Sequence, residues 1–260
     1  MLKVHFFGTR SGTEPMEGMH HTSLALEVNG VYYFIDAGEN CADSSYLSGV
    51  DHLKIKAVFI THPHMDHVGG LAGLFWNIRK LTRISDRRPI DGKINLFLPA
   101  LDTWDGIDKL LRTSENDYDS AFDIIVKRTK DGLLYEDENI KVTAFHNHHM
   151  QAEEGKGWLS YSYKIETEGK RIVFSGDVRD MQDLEDVIGD GCDLLMVETG
   201  HHKVLKVGEY IDTKKIGKVI FTHHGREIIN DRSGAQEKID TFKTPAVIAY
   251  DGMVEEIVME

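Results

Sequence analysis

The stretch Ile-Lys-Ala-Val-Phe-Ile-Thr-His-Pro-His-Met-Asp-His-Val-Gly-Gly, residues 55–70, decides how the rest of the chain is interpreted. The apolar run over residues 57–60 is typical of a strand buried on both faces. Four metal-binding side chains follow it: His62, His64, Asp66 and His67. Imidazole and carboxylate ligands suit zinc, manganese or iron, and a cluster without cysteine is unlike a closed structural zinc site. The stretch therefore predicts a catalytic metal site at a strand end, with a helix beginning at Val68.

Other predicted strands end in the same kinds of residue. Histidine or carboxylate side chains come directly after three more of them, at residues 146–149, at Asp177 with residues 198–202, and at residues 223–224. In an open α/β sheet, ligands gather at the carboxyl ends of strands, so we expect one shared site. Ile-Thr-His at residues 60–62 and Phe-Thr-His at residues 221–223 echo each other, which indicates an architecture of two halves.

Thr-His-Pro-His-Met-Asp-His resembles the HxHxDH signature of the metallo-β-lactamase superfamily. The later order is also similar to that superfamily over roughly residues 2–225: a histidine after a strand, Ser-Gly-Asp at residues 175–177 and a final histidine. The resemblance implies a single α/β domain over residues 1–260, an αββα sandwich with two divalent ions, zinc first and manganese or iron as alternatives. The ligands that it implies are His62, His64 and His149 for one ion, Asp66, His67 and His223 for the other, and Asp177 for both.

Adjacent histidines leave an alternative at two of these positions. Family members have a ligand histidine at the fifth position after Val-Thr-Ala, which favours His149, and His148 is the alternative. Side chains alternate along a strand, so we expect only one of the two to be a ligand. The echo of residues 60–62 favours His223 over His224.

Two residues are predicted to be catalytic. Asp66 is expected to act as general base as well as ligand. His201 is expected to protonate the leaving oxygen, because ribonuclease Z-like members have a non-ligand histidine 22 positions before the final ligand. Glu198 matches the glutamate that precedes that histidine. The alternatives are His202, or a solvated loop histidine without a catalytic role. The Phe-Gly-Thr-Arg-Ser-Gly segment at residues 7–12 also resembles the ribonuclease Z group.

The predicted function is hydrolysis of a phosphodiester, either ribonuclease Z-like or on a small cyclic or nucleotide substrate. One alternative is a lactonase or other carboxylic-ester hydrolase that uses Tyr210 or Tyr250; another is a non-catalytic metal-binding sensor. The formal charge of −13 disfavours a broad nucleic-acid-binding surface. A Gly/Pro-rich arm like that of the transfer-RNA-processing members is not found either. Both observations argue for a small substrate and against transfer RNA.

The remaining expectations concern supporting residues and location. Asp36 is either a turn residue or a carboxylate that supports a ligand histidine, and His20 and His21 are expected in a solvated loop. Two cysteines predict free thiols. The first residues enter a strand pattern without a signal peptide, and no run of eighteen apolar residues occurs, which favours a cytoplasmic protein without membrane spans. A homodimer is expected by analogy.

Overall fold

The structure is a computed structural model that describes residues 2–114, 121–155 and 157–257. Its strands are β1 Leu2–Gly8, β2 Ser23–Val28, β3 Val31–Ala37, β4 Ile55–Phe59, β5 Lys93–Leu98, β6 Asp123–Arg128, β7 Gly132–Glu136, β8 Lys141–His146, β9 Tyr161–Thr167, β10 Lys170–Phe174, β11 Cys192–Glu198, β12 Ile216–Thr222, β13 Ala246–Ile248 and β14 Val254–Ile257. Its helices are α1 Cys41–Leu47, α2 Met65–Val68, α3 Leu71–Ser85, α4 Leu101–Ser114, α5 Glu185–Ile188, α6 Val204–Ile211, α7 Arg226–Asn230 and α8 Arg232–Ile239. Short 3-10 helices cover His52–Lys54, Ile90–Gly92 and Met181–Leu184.

The chain forms two compact units. The first unit comprises Met1–Gly8, Met16–Arg128 and Asp251–Glu260, and the second unit comprises Thr9–Pro15 and Thr129–Tyr250. Each unit contains one seven-stranded sheet. The prediction of one domain over residues 1–260 stays a prediction.

The sheet of the first unit has the order β14-β1-β2-β3-β4-β5-β6. The strands from β14 to β3 are antiparallel neighbours, and the strands from β3 to β6 run parallel. Ile35 of β3 pairs with Phe59 of β4, which pairs with Phe97 of β5. The carboxyl ends of these three strands therefore lie side by side, and Asp36 comes next to the segment that leaves β4. Leu71, Leu74, Phe75 and Ile78 of α3 are buried in this unit's core.

The sheet of the second unit has the order β13-β12-β11-β10-β9-β8-β7. The strands from β10 to β13 run parallel, and those from β7 to β10 are antiparallel. Phe174 of β10 pairs with Met196 of β11, which pairs with Ile220 of β12. The carboxyl ends of β10, β11 and β12 therefore lie side by side, so the residues that follow positions 174, 196 and 220 lie at one edge of the sheet. A core formed with α5, α6 and α8 fixes these strands.

Most of the predicted elements are confirmed. The hairpin of β2 and β3 turns at Asn29 and Gly30, both of which have positive φ, as an Asn-Gly turn requires. The helix predicted from Val68 is wrong at its start: α2 ends at Val68, and α3 begins after Gly69 and Gly70. The break has a steric cause, because a Cβ on Gly70 would lie 2.2 Å from the carbonyl oxygen of Gly38. Only glycine fits this close approach of two backbones.

Some elements do not follow the sequence predictions. Residues 112–123 are polar and acidic, which predicts a loop or covering segment, but residues 112–114 form the end of α4, and residues 115–120 lie outside the described residues. The sequence does not predict strand β7 or helices α7 and α8. Residues 256–258 have the pattern of a closing strand; residues 256 and 257 belong to β14, and residue 258 lies outside the described range. Across residues 2–114, 121–155 and 157–257, no helix is both long and apolar enough to span a membrane.

Candidate metal centre

Asp36 organises the loop that follows β4. Its backbone adopts the left-handed conformation with φ of 57°, which aspartate tolerates better than most residues. The carboxylate accepts hydrogen bonds from the Thr61 amide at 2.8 Å and from the Thr61 hydroxyl at 2.9 and 3.0 Å. It thereby ties the end of β3 to the residue that immediately precedes His62.

The same carboxylate orients His67. The distance between His67 Nδ1 and Asp36 Oδ2 is 2.7 Å, and both side chains are completely buried. Because an ionised carboxylate only accepts, His67 Nδ1 carries the proton and Nε2 keeps its lone pair. Nε2 lies 3.4 Å from Asp66 Oδ2. A carboxylate that holds the other nitrogen of a ligand histidine is a common support in metal sites, so this contact fits the supporting role predicted for Asp36, which stays a prediction.

The first unit brings its four predicted ligands together. His62 Nε2 lies 3.0 Å from His64 Nδ1, and the rings of His62 and His67 are 4.0 Å apart. His62 and His67 are buried, Asp66 is half-buried and His64 is exposed. Asp66 and His67 lie within the one-turn helix α2 rather than at the start of the long helix. The close approach of Gly38 to the Asp66 carbonyl, where a Cβ would be 2.5 Å away, fixes α2 against the end of β3.

The second unit gathers four more donor residues. Asp177, Glu198, His201 and His223 each offer one ligand atom, and these atoms lie within 4.8 Å of one another. Asp177 Oδ1 is 3.3 Å from His223 Nε2, and both side chains are buried. Asp177 follows β10, and His223 follows β12 with a left-handed φ of 46°. The parallel register of β10, β11 and β12 is what places these residues at one edge.

Glu198, the last residue of β11, is the buried partner of His201. Its carboxylate accepts from the Val178 amide at 2.9 Å and from the His201 amide at 2.8 Å, and it lies 3.0 Å from His201 Nδ1. Burial raises the pKa of Glu198, but the neighbouring imidazoles of His201 and His223 outweigh burial and lower it. The hydrogen bond to Glu198 in turn raises the pKa of His201. His201 is 44% exposed, so its ring is both held and accessible.

The structure distinguishes the adjacent histidines of this unit. His202 is buried, and its Nε2 donates to the Val178 carbonyl at 3.0 Å. His224 is buried too and donates through Nε2 to the Ala249 carbonyl at 2.9 Å, and burial lowers its pKa to about 3. Both therefore hold loops in place, whereas His201 and His223 face Asp177 and Glu198.

His148 and His149 also point to different partners. His149 Nε2 lies 3.8 Å from Asp177 Oδ2, its ring centre is 4.8 Å from that of His201, and its side chain is 12% exposed. His148 is half exposed, and its Nδ1 bonds the carboxylate of Asp183. The buried side chain of Asn147 bonds the His149 amide and helps to turn the chain between them. In the second unit, therefore, His149 and not His148 joins the group around Asp177.

Other predicted residues are placed elsewhere. Tyr210 packs against the core of the second unit with Lys214 Nζ 4.9 Å above its ring, and Tyr250 is exposed. His21 is partly exposed, and its Nδ1 lies 2.8 Å from Oε2 of the exposed Glu39. The partnership of His148 with Asp183 was also missed. The donors of both units are imidazole nitrogens and carboxylate oxygens without a thiolate, which fits divalent ions of the zinc, manganese and iron type.

The chain is similar to known proteins in sequence and in fold. Ribonuclease Z of Methanothermobacter thermautotrophicus is 30% identical over 146 residues, which are 55% of this chain and 43% of that protein. The chain thus spans less than half the length of this relative. Among solved structures, human tRNase Z, short form, has a TM-score of 0.75 at 19% identity and covers 99% of this chain and 100% of its own. The metallo-β-lactamase fold protein YhfI of Bacillus subtilis has a TM-score of 0.74 at 16% identity, with 98% of both chains covered.

These similarities and the ordered His and Asp segments define a ribonuclease Z-like protein of the metallo-β-lactamase superfamily. The α/β metallo-β-lactamase fold predicted from the HxHxDH stretch is confirmed. Residues 2–239 match the family described as anti-Pycsar protein Apyc1, and the chain belongs to that family.

Proposed function

We propose that this protein is a metal-dependent hydrolase that cleaves small phosphodiesters of the nucleotide type, including cyclic ones. The similarity to ribonuclease Z supports phosphodiester cleavage. The formal charge of −13 supports a small substrate over a long nucleic acid, because phosphate backbones are held largely by lysine and arginine. Assembly as a homodimer and a cytoplasmic location are part of the proposal by analogy alone.

The proposed ligands follow the order of the sequence motifs. His62, His64 and His149 would hold one ion, Asp66, His67 and His223 the other, and Asp177 both. Zinc is proposed first because histidine nitrogen and carboxylate oxygen are its usual ligands in catalytic sites. Divalent ions supply a nucleophile at neutral pH and polarise the bond that is cut. The protein's part is to present these donors in one protonation state, as the contact of Asp36 with His67 does.

The pairing of Glu198 with His201 is the observation that carries the proposal for phosphodiester cleavage. A buried carboxylate holds Nδ1 of a partly exposed imidazole, so Nε2 is directed away from Glu198. A histidine held in this way can donate a proton to a phosphoryl or leaving oxygen. In the first unit, the half-buried carboxylate of Asp66 lies beside His67 and is proposed to accept the proton of the attacking water.

The test compares His201→Ala with the native protein on bis-p-nitrophenyl phosphate, a 3′,5′-cyclic nucleotide and a lactone. We expect phosphodiester turnover to fall by about 10²–10⁴-fold, the usual contribution of a positioned acid. Lys203→Ala is the matched control, because Lys203 is exposed and two positions away. Measurement of bound metal in each protein separates loss of the acid from loss of the ions.

Several outcomes would overturn the proposal. Unchanged phosphodiester turnover in His201→Ala would remove His201 from the reaction. Turnover of the lactone alone by the native protein would identify a carboxylic-ester hydrolase. Full metal occupancy without turnover of any ester would favour a sensor, and faster cleavage of a transfer-RNA precursor than of small diesters would overturn the substrate class.

A further inference from the structure

A second cluster of histidines and carboxylates lies in the second unit, outside the proposed ligand set. His146, His148, Asp131, Asp183 and Asp186 line a cavity of about 280 Å³. His146 is the last residue of β8, and His148 follows two positions later. The proposed hydrolysis uses none of these five residues.

Each of the two imidazoles is oriented by its own carboxylate. His146 Nδ1 lies 2.8 Å from Asp131 Oδ2, and the His146 amide donates to Asp131 Oδ1 at 2.7 Å. His148 Nδ1 bonds the carboxylate of Asp183, and the His148 amide donates to the same carboxylate at 3.2 Å. Because carboxylates only accept, both Nδ1 atoms carry protons, and in the neutral ring Nε2 keeps its lone pair. Within the described residues, neither Nε2 has a hydrogen-bond partner.

The spacing of the rings suits a shared ion. His148 lies two positions beyond the end of β8, and the ring centres of His146 and His148 are 5.7 Å apart at 74°. Two imidazoles bound through Nε2 to one tetrahedral zinc at about 2.0–2.1 Å would have ring centres roughly 5 Å apart. The observed separation therefore needs only a small adjustment of the exposed His148 side chain.

Trp158 and Asp186 are the neighbours of the two histidines that matter for ion binding. Trp158 stacks on His146 with ring centres 4.4 Å apart at 11°, and its edge meets His148 at 5.2 Å, so the indole limits the rotation of both rings. Asp186 of α5 lines the same cavity, is exposed and has no protein partner among the described residues. Its carboxylate adds negative charge at the wall of the cavity. The excess of carboxylates makes the cavity a poor site for a phosphate and a good one for a cation.

We propose that His146 and His148 form an accessory two-histidine site for one divalent transition ion of the zinc class, with the negative charge of Asp186 at the wall of the same cavity. Asp131 and Asp183 act as positioning residues that keep Nε2 available, as carboxylates do for ligand histidines generally. This site is additional to the ions of the proposed hydrolysis and does not depend on that function.

The experiment titrates zinc alone into the chelator-stripped full chain and counts the bound ions by calorimetry. We expect three equivalents for the native protein, the third weaker than the others, and two for the double variant His146→Gln/His148→Gln. His5→Gln, a histidine substitution in the other sheet, should keep three. Trp158 emission, obtained as the difference between the native protein and Trp158→Phe, should change only with the third equivalent.

A further variant tests the positioning role. Asp131→Asn keeps the shape of the side chain but removes its charge, and we expect it to weaken the third equivalent by about 10–100-fold. Two equivalents in both the native protein and the double variant would overturn the accessory site and leave the proposed function intact. One equivalent in the double variant would assign these histidines to the principal site instead. No zinc uptake by any protein would overturn both proposals together.

Discussion

The two units present their donors in different ways. In the first unit, all four predicted ligands lie in one stretch of six residues that leads from β4 into α2, and a single buried carboxylate, Asp36, supports that stretch. In the second unit, the donors follow β8, β10, β11 and β12, and Glu198 joins two of these strand ends. The first arrangement is local in sequence, whereas the second depends on the register of a parallel sheet.

Asp36 and Glu198, the carboxylates that each hold a histidine, also differ between the two units. Asp36 bonds the completely buried side chain of His67, so it fixes a proposed ligand. Glu198 bonds His201, which is 44% exposed, so it fixes a group that can still meet a substrate. Burial of the histidine therefore separates a supporting pair for metal binding from a pair suited to proton transfer, although both use a carboxylate on Nδ1.

Of the two substitutions Asp36→Asn and Glu198→Gln, Asp36→Asn should have the larger effect, and the effect should be on metal affinity. Asparagine tolerates the left-handed backbone of this position, so the substitution removes the charge while it keeps the fold of the turn. We expect metal affinity to fall by about 10–100-fold, because His67 loses its orienting carboxylate. Zinc binding against a competing chelator measures the effect, with Asp43→Asn on the exposed side of α1 as the control. Equal affinities in both variants would contradict the role assigned to Asp36.

Glu198→Gln should have a smaller effect, on turnover rather than on metal affinity. The Val178 and His201 amides bond different oxygens of Glu198, so glutamine can accept only one of these two bonds, and it removes the charge beside His201 Nδ1. We expect phosphodiester turnover to fall by roughly 10-fold, less than in His201→Ala, because a misplaced acid retains part of its effect. Turnover at saturating metal is the measurement. A loss of metal affinity as large as in Asp36→Asn would show that the two carboxylates have the same role.

The difference between the units also explains what could be predicted from the sequence. The loop at residues 62–67 and the Asn29-Gly30 turn are predictable because their determinants are adjacent in the chain. Helix α8 is not, since Ala235 and Ile239 are its only buried residues and the rest of it is polar. Strand β7 is missed because it is short, Leu133 is exposed and turn residues flank it.

The hydrogen-bond and ion-pair partners of individual histidines are harder to predict than the candidate site residues. Tertiary packing brings His148 to Asp183, 35 positions away, and His21 to Glu39, 18 positions away. No local pattern marks either carboxylate. Asp36 was a candidate only because it ends a predicted strand, and its contact with His67 spans 31 positions.

Another buried histidine shows what a carboxylate contributes, because His52 of the first unit has neutral partners. Its Nδ1 lies 3.0 Å from Asn77 Nδ2, which donates, so Nε2–H donates to Ser45 Oγ at 2.7 Å. Burial without a carboxylate on either nitrogen lowers the pKa of His52 to about 4. The unfolded chain, with an ordinary histidine pKa near 6.5, then binds the proton first as pH falls.

The contribution of His52 to the free energy of unfolding should therefore be fully present above about pH 6.5. It should decline between about pH 6.5 and 4, by on the order of 3 kcal/mol. His52→Gln should make that part of the profile less steep, with the remaining decline due in part to buried His224, while changing turnover at neutral pH least of the variants considered. Urea unfolding in the presence of chelator, which removes any contribution of bound metal, measures the profile, with His20→Gln as the control. A profile for His52→Gln that declines as steeply as that of the native protein would show that His52 is not the group responsible.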